Sequence, residues 1–323
     1  MLGRAHEPTI LTFTACPPVL FIIFKRPDTT LQVMESIRKA RPARLYIAAD
    51  GPRAGREREA EECDKAREAA LAVEWPCVVL TLFRGTNLGC KAGPRAAIDW
   101  FFEQEPEGII LEDDVVPVQS FFRFCSELLE RYRYDTRVSM ISGNNFQQCI
   151  KRGEASYYFS RMNYTWGWAT WRRAWERYDR DMLLWEPFKR EHGFKQLGLK
   201  GWFEIYFTRY FDWVASGKMD TAWDYQWIFS GIAHNMYAII PQQNLVTNIG
   251  WGPDATHTGN PESWMCRMAV KEIPFPLIHP ILVAPNREAD LADIKKLMGP
   301  LRLLIPVVRR MKRASTAVMQ RLK

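Results

Sequence analysis

The strongest constraint in this sequence is a four-fold alternation of apolar runs and amphipathic segments across its first third. The runs VLFIIF (19–24), RLYIAAD (44–50), CVVLTLF (77–83) and GIILEDD (108–114) read as strands. VLFIIF is apolar throughout, which suits a strand covered on both faces. The pattern after each run predicts helices over 29–40, 56–72, 94–104 and 120–132, with Ser120 capping the last. Four such units predict an α/β fold: a mainly parallel sheet with helices on both faces.

From about Tyr157 the texture changes to aromatic-rich segments: YYFS, WGWATWRRAW, GWFEIYFTRYFDW and WDYQWIF. A loop-rich stretch marked by Pro, Gly and Asn follows over 241–285. No linker composition separates the halves, so they are expected to share one domain. The two halves are expected over 17–150 and 151–285, followed by a basic amphipathic tail over 286–323.

The formal charge of +7 would suggest nucleic acid if it were spread over the fold. It is not spread. Residues 294–323 hold nine Lys or Arg and no acid, so removing those nine from 44 bases leaves 35 against 37 acids. The body is no nucleic-acid platform. In the tail, Val307, Met311, Ala314, Val318 and Leu322 recur at helical spacing among the cations. That is the pattern of a helix lying on an anionic membrane surface, or of a disordered basic tail. No run is long enough to span a bilayer, and the first residues lack the basic start and apolar core of a secretory signal. The seven cysteines are scattered and never form a CxxC pair. The expectation is a cytoplasmic protein, peripheral on a membrane if the tail binds one.

Ligands of open α/β sheets bind beyond the carboxyl ends of the strands. Here those ends carry Arg26 and Asp28, then Asp50, then Arg84 and Asn87, then Glu112, Asp113 and Asp114. There is neither a GxGxxG fingerprint nor a Walker A loop, so any bound phosphate needs another source of positive charge. Adjacent carboxylates at a strand end suggest Mg²⁺ or Mn²⁺, hard cations that take oxygen ligands. The triplet could also be a solvated turn, although three acids closing an apolar strand repel one another without a cation. Asp50 begins an Asp-Gly-Pro turn, which explains it equally well as a turn residue or a ligand.

With those residues in view, the chain resembles GT-A nucleotide-sugar glycosyltransferases, and more narrowly the N-acetylglucosaminyltransferase I family and its bacterial relatives. FKRPDTT, AADGPR, LEDDVVPVQSFFRF, GWATWRRAW and WDYQW carry the resemblance, in order, over about residues 17–260. It implies a metal-dependent, inverting transfer from a nucleotide-diphosphate donor, UDP-linked by preference, to a glycan or lipid-linked acceptor. It further implies that Asp114 binds the Mn²⁺ or Mg²⁺ and that Asp113 and Glu112 arrange the ribose and sugar. Arg26 and Asp50 would hold the uridine, and Asp224 would be the base. The C-terminal part departs from the family pattern, so the acceptor site does not carry over.

Other residues remain open. Asp224 sits in TAWDYQWIF near an expected helix start, where apolar neighbours would raise a carboxylate's basicity, and Asp254 and Glu204 are alternative bases. His257, in the loop GPDATHTG, could reach the metal or lie at the surface. Asn144 and Asn145 could meet sugar hydroxyls or make a turn. Trp166 and Trp168 flank a glycine and could stack on a pyranose, while most of the thirteen Trp should be core. Two rival functions share parts of this pattern. A sugar-phosphate nucleotidyltransferase would need a Gly-rich basic loop after the first strand, where KRPDTT stands. A non-catalytic carbohydrate-binding protein would not need clustered acids.

Overall fold

The computed structural model describes residues 15–148, 150–219, 221–252 and 263–299. The expected strands and helices form β1 (Val19–Ile23), α1 (Pro27–Ala40), β2 (Arg44–Ala49), α2 (Glu57–Ala70), β3 (Val78–Phe83), α3 (Gly89–Gln104) and β4 (Glu107–Glu112). A two-residue turn, Asp113-Asp114, leads into the short β5 (Val115–Pro117), and then come α4 (Gln119–Arg131) and β6 (Val138–Ser142). The aromatic half supplies β7 (Tyr157–Ser160), β8 (Trp168–Trp171), the short helices α5 (Arg172–Trp175), α6 (Trp185–Arg190) and α7 (Gly193–Gln196), then α8 (Trp202–Ala215), α9 (Asp224–Ala233), β9 (Tyr237–Pro241) and β10 (Val246–Asn248). A last helix, α10, runs over Arg287–Leu297.

Eight strands make one sheet in the order β3-β2-β1-β4-β8-β6-β9-β7. Pairing is parallel from β3 through β4 and again between β6 and β9. It is antiparallel where β8 enters and at the β7 edge. The sheet is therefore large, mostly parallel and flanked by helices, as the alternating pattern predicts. Strands from both halves of the chain interleave in it, and β5 pairs with β10 in a separate two-stranded ribbon.

Alternation along the strands splits the core in two. Val19, Phe21 and Ile23 of β1 face a cluster shared with α1, α2 and α4. Leu20 faces the opposite cluster, shared with α3, α8, α9 and α10. Most of the tryptophan excess belongs to that second layer, where Trp168, Trp185 and Trp227 are fully buried. Trp168 stacks on Trp223 at 5.9 Å and lies 6.0 Å from Trp227.

Two helix starts differ from expectation for identifiable reasons. Helix α3 begins at Gly89 rather than Pro94, because the Asp50 carboxylate accepts from the Leu88 and Gly89 amides at 2.9–3.0 Å. Those amides would otherwise be unsatisfied at a helix start. Ser120 does not cap α4. Its Oγ accepts instead from the Ile273 amide at 3.0 Å, and the Glu272 carboxylate takes the Gln119 and Ser120 amides at 3.2 and 2.7 Å.

Candidate functional site

Beyond the carboxyl ends of β1, β2, β3 and β4 opens a cleft of about 690 Å³. That volume suits a small-molecule ligand. Among the residues in its wall are Arg26, Asp50, Glu112, Asp113, Asp114 and Asp224. Six of the seven residues given a leading site role from the sequence thus share one cavity. The seventh, His257, lies outside the described residues, as do Asp254 and the tail beyond residue 299.

The acidic turn is built by strand ends. β4 stops at Glu112 because Asp113 and Asp114 fold over toward β1, where Asp113 Oδ2 accepts from the Phe24 amide at 3.0 Å. Arg26 Nη1 donates to Asp114 Oδ2 at 2.9 Å and lies 3.7 Å from Asp113 Oδ1. The Asp114 carbonyl accepts from Ile249 just past β10, and Gly250 packs directly on the Asp114 side chain. A Cβ at residue 250 would collide with that carboxylate, so the close approach requires glycine. Burial pushes all three carboxyls above their usual range, and mutual repulsion adds to the effect at Glu112 and Asp113. Glu112 also feels the charge of Asp224.

Asp224 is the first residue of α9, half-buried, and its Oδ1 accepts from the Tyr225 amide at 3.0 Å. It stands where the aromatic layer meets the cleft. Trp223 turns inward onto Trp168 while Tyr225 lines the cavity and stacks on Tyr210 at 4.8 Å. Asp50 is committed to backbone: besides the start of α3, its Oδ1 accepts from the Gly51 amide at 3.0 Å. Gly51 in turn lies so close to Thr86 that a Cβ would come within 2.5 Å of its amide nitrogen, and Asn87 Nδ2 donates to the Gly51 carbonyl at 2.8 Å. Asp50 therefore ties together the loops after β2 and β3.

Sequence reasoning placed Arg26 and Arg84 at the strand ends but passed over Lys25 and Arg53. Lys25, Arg53 and Arg84 line the cleft with Arg26. Arg53 is held by a two-pronged pair with buried Glu59, which also meets Lys25 Nζ at 3.2 Å. The Arg53 guanidinium chiefly holds Glu59 far below the usual carboxylate range, at about 2. Arg53 lies in the quoted AADGPR turn, so a cation there was a readable signal. Glu59 was not readable, because nothing in the charged pattern of α2 marks it as buried.

Several other candidates prove structural. Trp168 is fully buried and offers no face to a sugar, whereas Trp166 lines the cleft. Asn145 is buried, donating to the Pro241 carbonyl at 2.6 Å and accepting from the Gln147 amide, and Asn144 accepts from Ser142 Oγ. Both asparagines make the turn after β6. Glu204 is exposed on α8 and Asp28 is exposed at the start of α1, and neither lines the cleft.

Carboxylate oxygens are the right donors for a hard divalent cation, and a cation beside these buried carboxyls would favour their ionised form against the burial that raises them. Among the described residues no three His, Cys, Asp or Glu side chains converge into a closed cage. Asp114 and Asp113 are the residues that would hold such a cation, which would supply positive charge toward a bound anion.

No known family model matches the chain, and no curated protein matches it. Among solved structures it is similar to HddC from Yersinia pseudotuberculosis, at 8% identity and a TM-score of 0.32 over 50% of this chain and 80% of that one. It is similar to the inositol-1-phosphate CTP transferase from T. maritima, at 9% identity and a TM-score of 0.27 over 52% and 76%. A third likeness is to mouse xyloside xylosyltransferase 1, at 11% identity and a TM-score of 0.33 over 68% and 83%. At such low similarity these structures assign no chemistry to the chain, and the functional reading rests on the cleft.

Proposed function

We propose that the chain is a glycosyltransferase of GT-A type that takes a sugar from a nucleotide diphosphate, UDP-linked by preference, with Mn²⁺ or Mg²⁺. One observation carries the reading: an acidic turn at the end of β4 faces a cationic wall from β1 to β3 across a ligand-sized cleft, with Asp224 at its edge. Arg26, Arg53 and Arg84 supply positive charge for a diphosphate, in a fold without a glycine cradle. Held by Asp114 and Asp113, the divalent cation would offset charge on the departing diphosphate.

The acceptor, a glycan or lipid-linked sugar, enters from the side of Trp166 and Tyr225. Its hydroxyl oxygen forms the new bond to the anomeric carbon as the bond to the diphosphate breaks, with inversion. Asp224 takes the hydroxyl proton. Glu112 and Asp113 orient the ribose and sugar, and Asp50 holds the uridine-side loops in place. His257, outside the described residues, is a further candidate for the metal. The basic tail, also outside them, would hold the protein on an anionic membrane. Among the described residues no helix is long and apolar enough to cross one.

The rival nucleotidyltransferase reading lacks its glycine-rich loop here. From Ile23 the chain passes through Phe24, Lys25 and Arg26 straight into α1 at Pro27. Incubating the protein with a panel of nucleotide sugars, with Mn²⁺, with Mg²⁺ and with chelator, tests the proposal. Metal-dependent release of a nucleoside diphosphate is the expected result. Release of pyrophosphate from a nucleoside triphosphate and a sugar phosphate would replace it with the nucleotidyltransferase.

A further inference from the structure

At the β7 edge of the sheet, the segment between the loop-rich stretch and α10 turns three aliphatic side chains outward. Ile278 is 61% exposed, Ile281 99% and Leu282 72%, whereas most aliphatic side chains among the described residues are core. Pro276, Pro280 and Pro285 punctuate the segment, and the chain bends at Ile281-Leu282. It is firmly held. The Ile278 carbonyl and amide bond the Ser156 amide and Oγ at 2.7 and 2.8 Å, Tyr157 and His279 are 3.0 Å apart, and the Asn286 amide donates to the Phe159 carbonyl at 2.7 Å. These bonds hold the segment with its aliphatic side chains exposed.

The charges beside the tip come from α4. Exposed Arg123 lies over the Phe275 ring at 4.0 Å, and exposed Arg131 acts electrostatically on His279. Between them Glu127 lies 3.7 Å from His279 Nε2. The 24 residues after Gly299 bring seven more cations and no acid to the same protein. Aliphatic side chains at a tip with arginines beside it match the layering of an anionic bilayer, with phosphates above acyl chains.

We propose that Ile278, Ile281 and Leu282 form a membrane-docking tip that inserts its aliphatic side chains into an anionic lipid surface while Arg123 and Arg131 meet the phosphates. The tip is separate from the cleft and does not depend on the reaction proposed for it.

The test is sedimentation of the full chain with phosphatidylglycerol vesicles and with phosphatidylcholine vesicles at low salt. The wild type should partition to the phosphatidylglycerol vesicles, and Ile281→Asp/Leu282→Asp should do so at least tenfold more weakly with an unchanged melting temperature. Leu282→Trp should bind at least as well as wild type. Equal partitioning of wild type and the double Asp variant would overturn the proposal, as would equal binding to the two lipids. So would a wild-type dimer that the double Asp variant converts to a monomer, because the tip's partner would then be a second copy of the chain.

Discussion

Arg26 reaches from the end of β1 to Asp114 in the turn after β4, with 2.9 Å between Nη1 and Oδ2. The pair joins two neighbouring parallel strands at their carboxyl ends and sets Arg26 against the acidic turn, where a donor's phosphates would approach. A ligand that binds there must compete for both partners. Titrating UDP into wild type and Asp114→Ala, each with Mn²⁺ and with chelator, should show at least tenfold tighter binding only for wild type with metal. Equal affinity in all four conditions would remove Asp114 and the cation from the proposal.

Asp224→Asn retains the helix-start position and an oxygen to accept from Tyr225, so fold and UDP affinity should persist. Turnover should fall by about 10²–10⁴, the usual cost of losing a general base. Transfer at the wild-type rate would leave Asp224 as a helix-start acid and make Asp254 the next candidate.

Asp50 makes opposite predictions as a structural acid and as a ligand. Because its carboxylate satisfies the amides that open α3, Asp50→Ala should cost about 1–2 kcal/mol and lower the melting temperature by a few degrees. Asp50→Asn, with one acceptor left, should recover part of the loss. An unchanged melting temperature with abolished UDP binding would assign the residue to the ligand instead.

Asp290, on α10, is buried with Ser160 Oγ 2.5 Å from its Oδ1, and burial pushes its carboxyl up to about 7. The unfolded chain releases this proton near its ordinary value of 3.8, the folded chain only near 7. The native state therefore binds the extra proton between those values, and stability falls as pH rises through that window. Between pH 5 and 8 the loss should be about 2–3 kcal/mol. Denaturant melts of Asp290→Asn should show a flatter dependence over that range. Parallel slopes for the two proteins would mean the carboxyl ionises alike in both states.

The sheet was legible because its strands announce themselves by continuous apolar runs such as VLFIIF, and their polar ends point to the cleft. Arg26, Asp50 and the acidic triplet fall together for that reason alone. Asp224 was legible only through resemblance, since its segment reads as any aromatic helix start. Local pattern failed where distant chain supplies the partner. Ser120 reads as a cap, yet Glu272 fills that role from 152 residues away. Pro94 reads as a helix start, yet Asp50, reaching from the end of another strand, opens α3 earlier. Trp166 and Trp168 are indistinguishable in sequence, yet Trp168 opens β8 and is buried in the core, while Trp166 lies in the bend before that strand, at the cleft.

The surroundings of the acidic turn have a consequence for the order in which this protein can be made. β5 has no partner until Val246–Asn248 exists, the Asp114 carboxylate lacks its neighbour until Gly250, and α4 has no cap until Glu272. During synthesis the first four strands can leave the ribosome and pair while their acidic turn still hangs open. The cleft closes around it only when the last quarter of the chain arrives. A product truncated before residue 246 would keep most of the sheet's apolar strands but not a finished site, and its half-built acidic mouth is what quality control would meet.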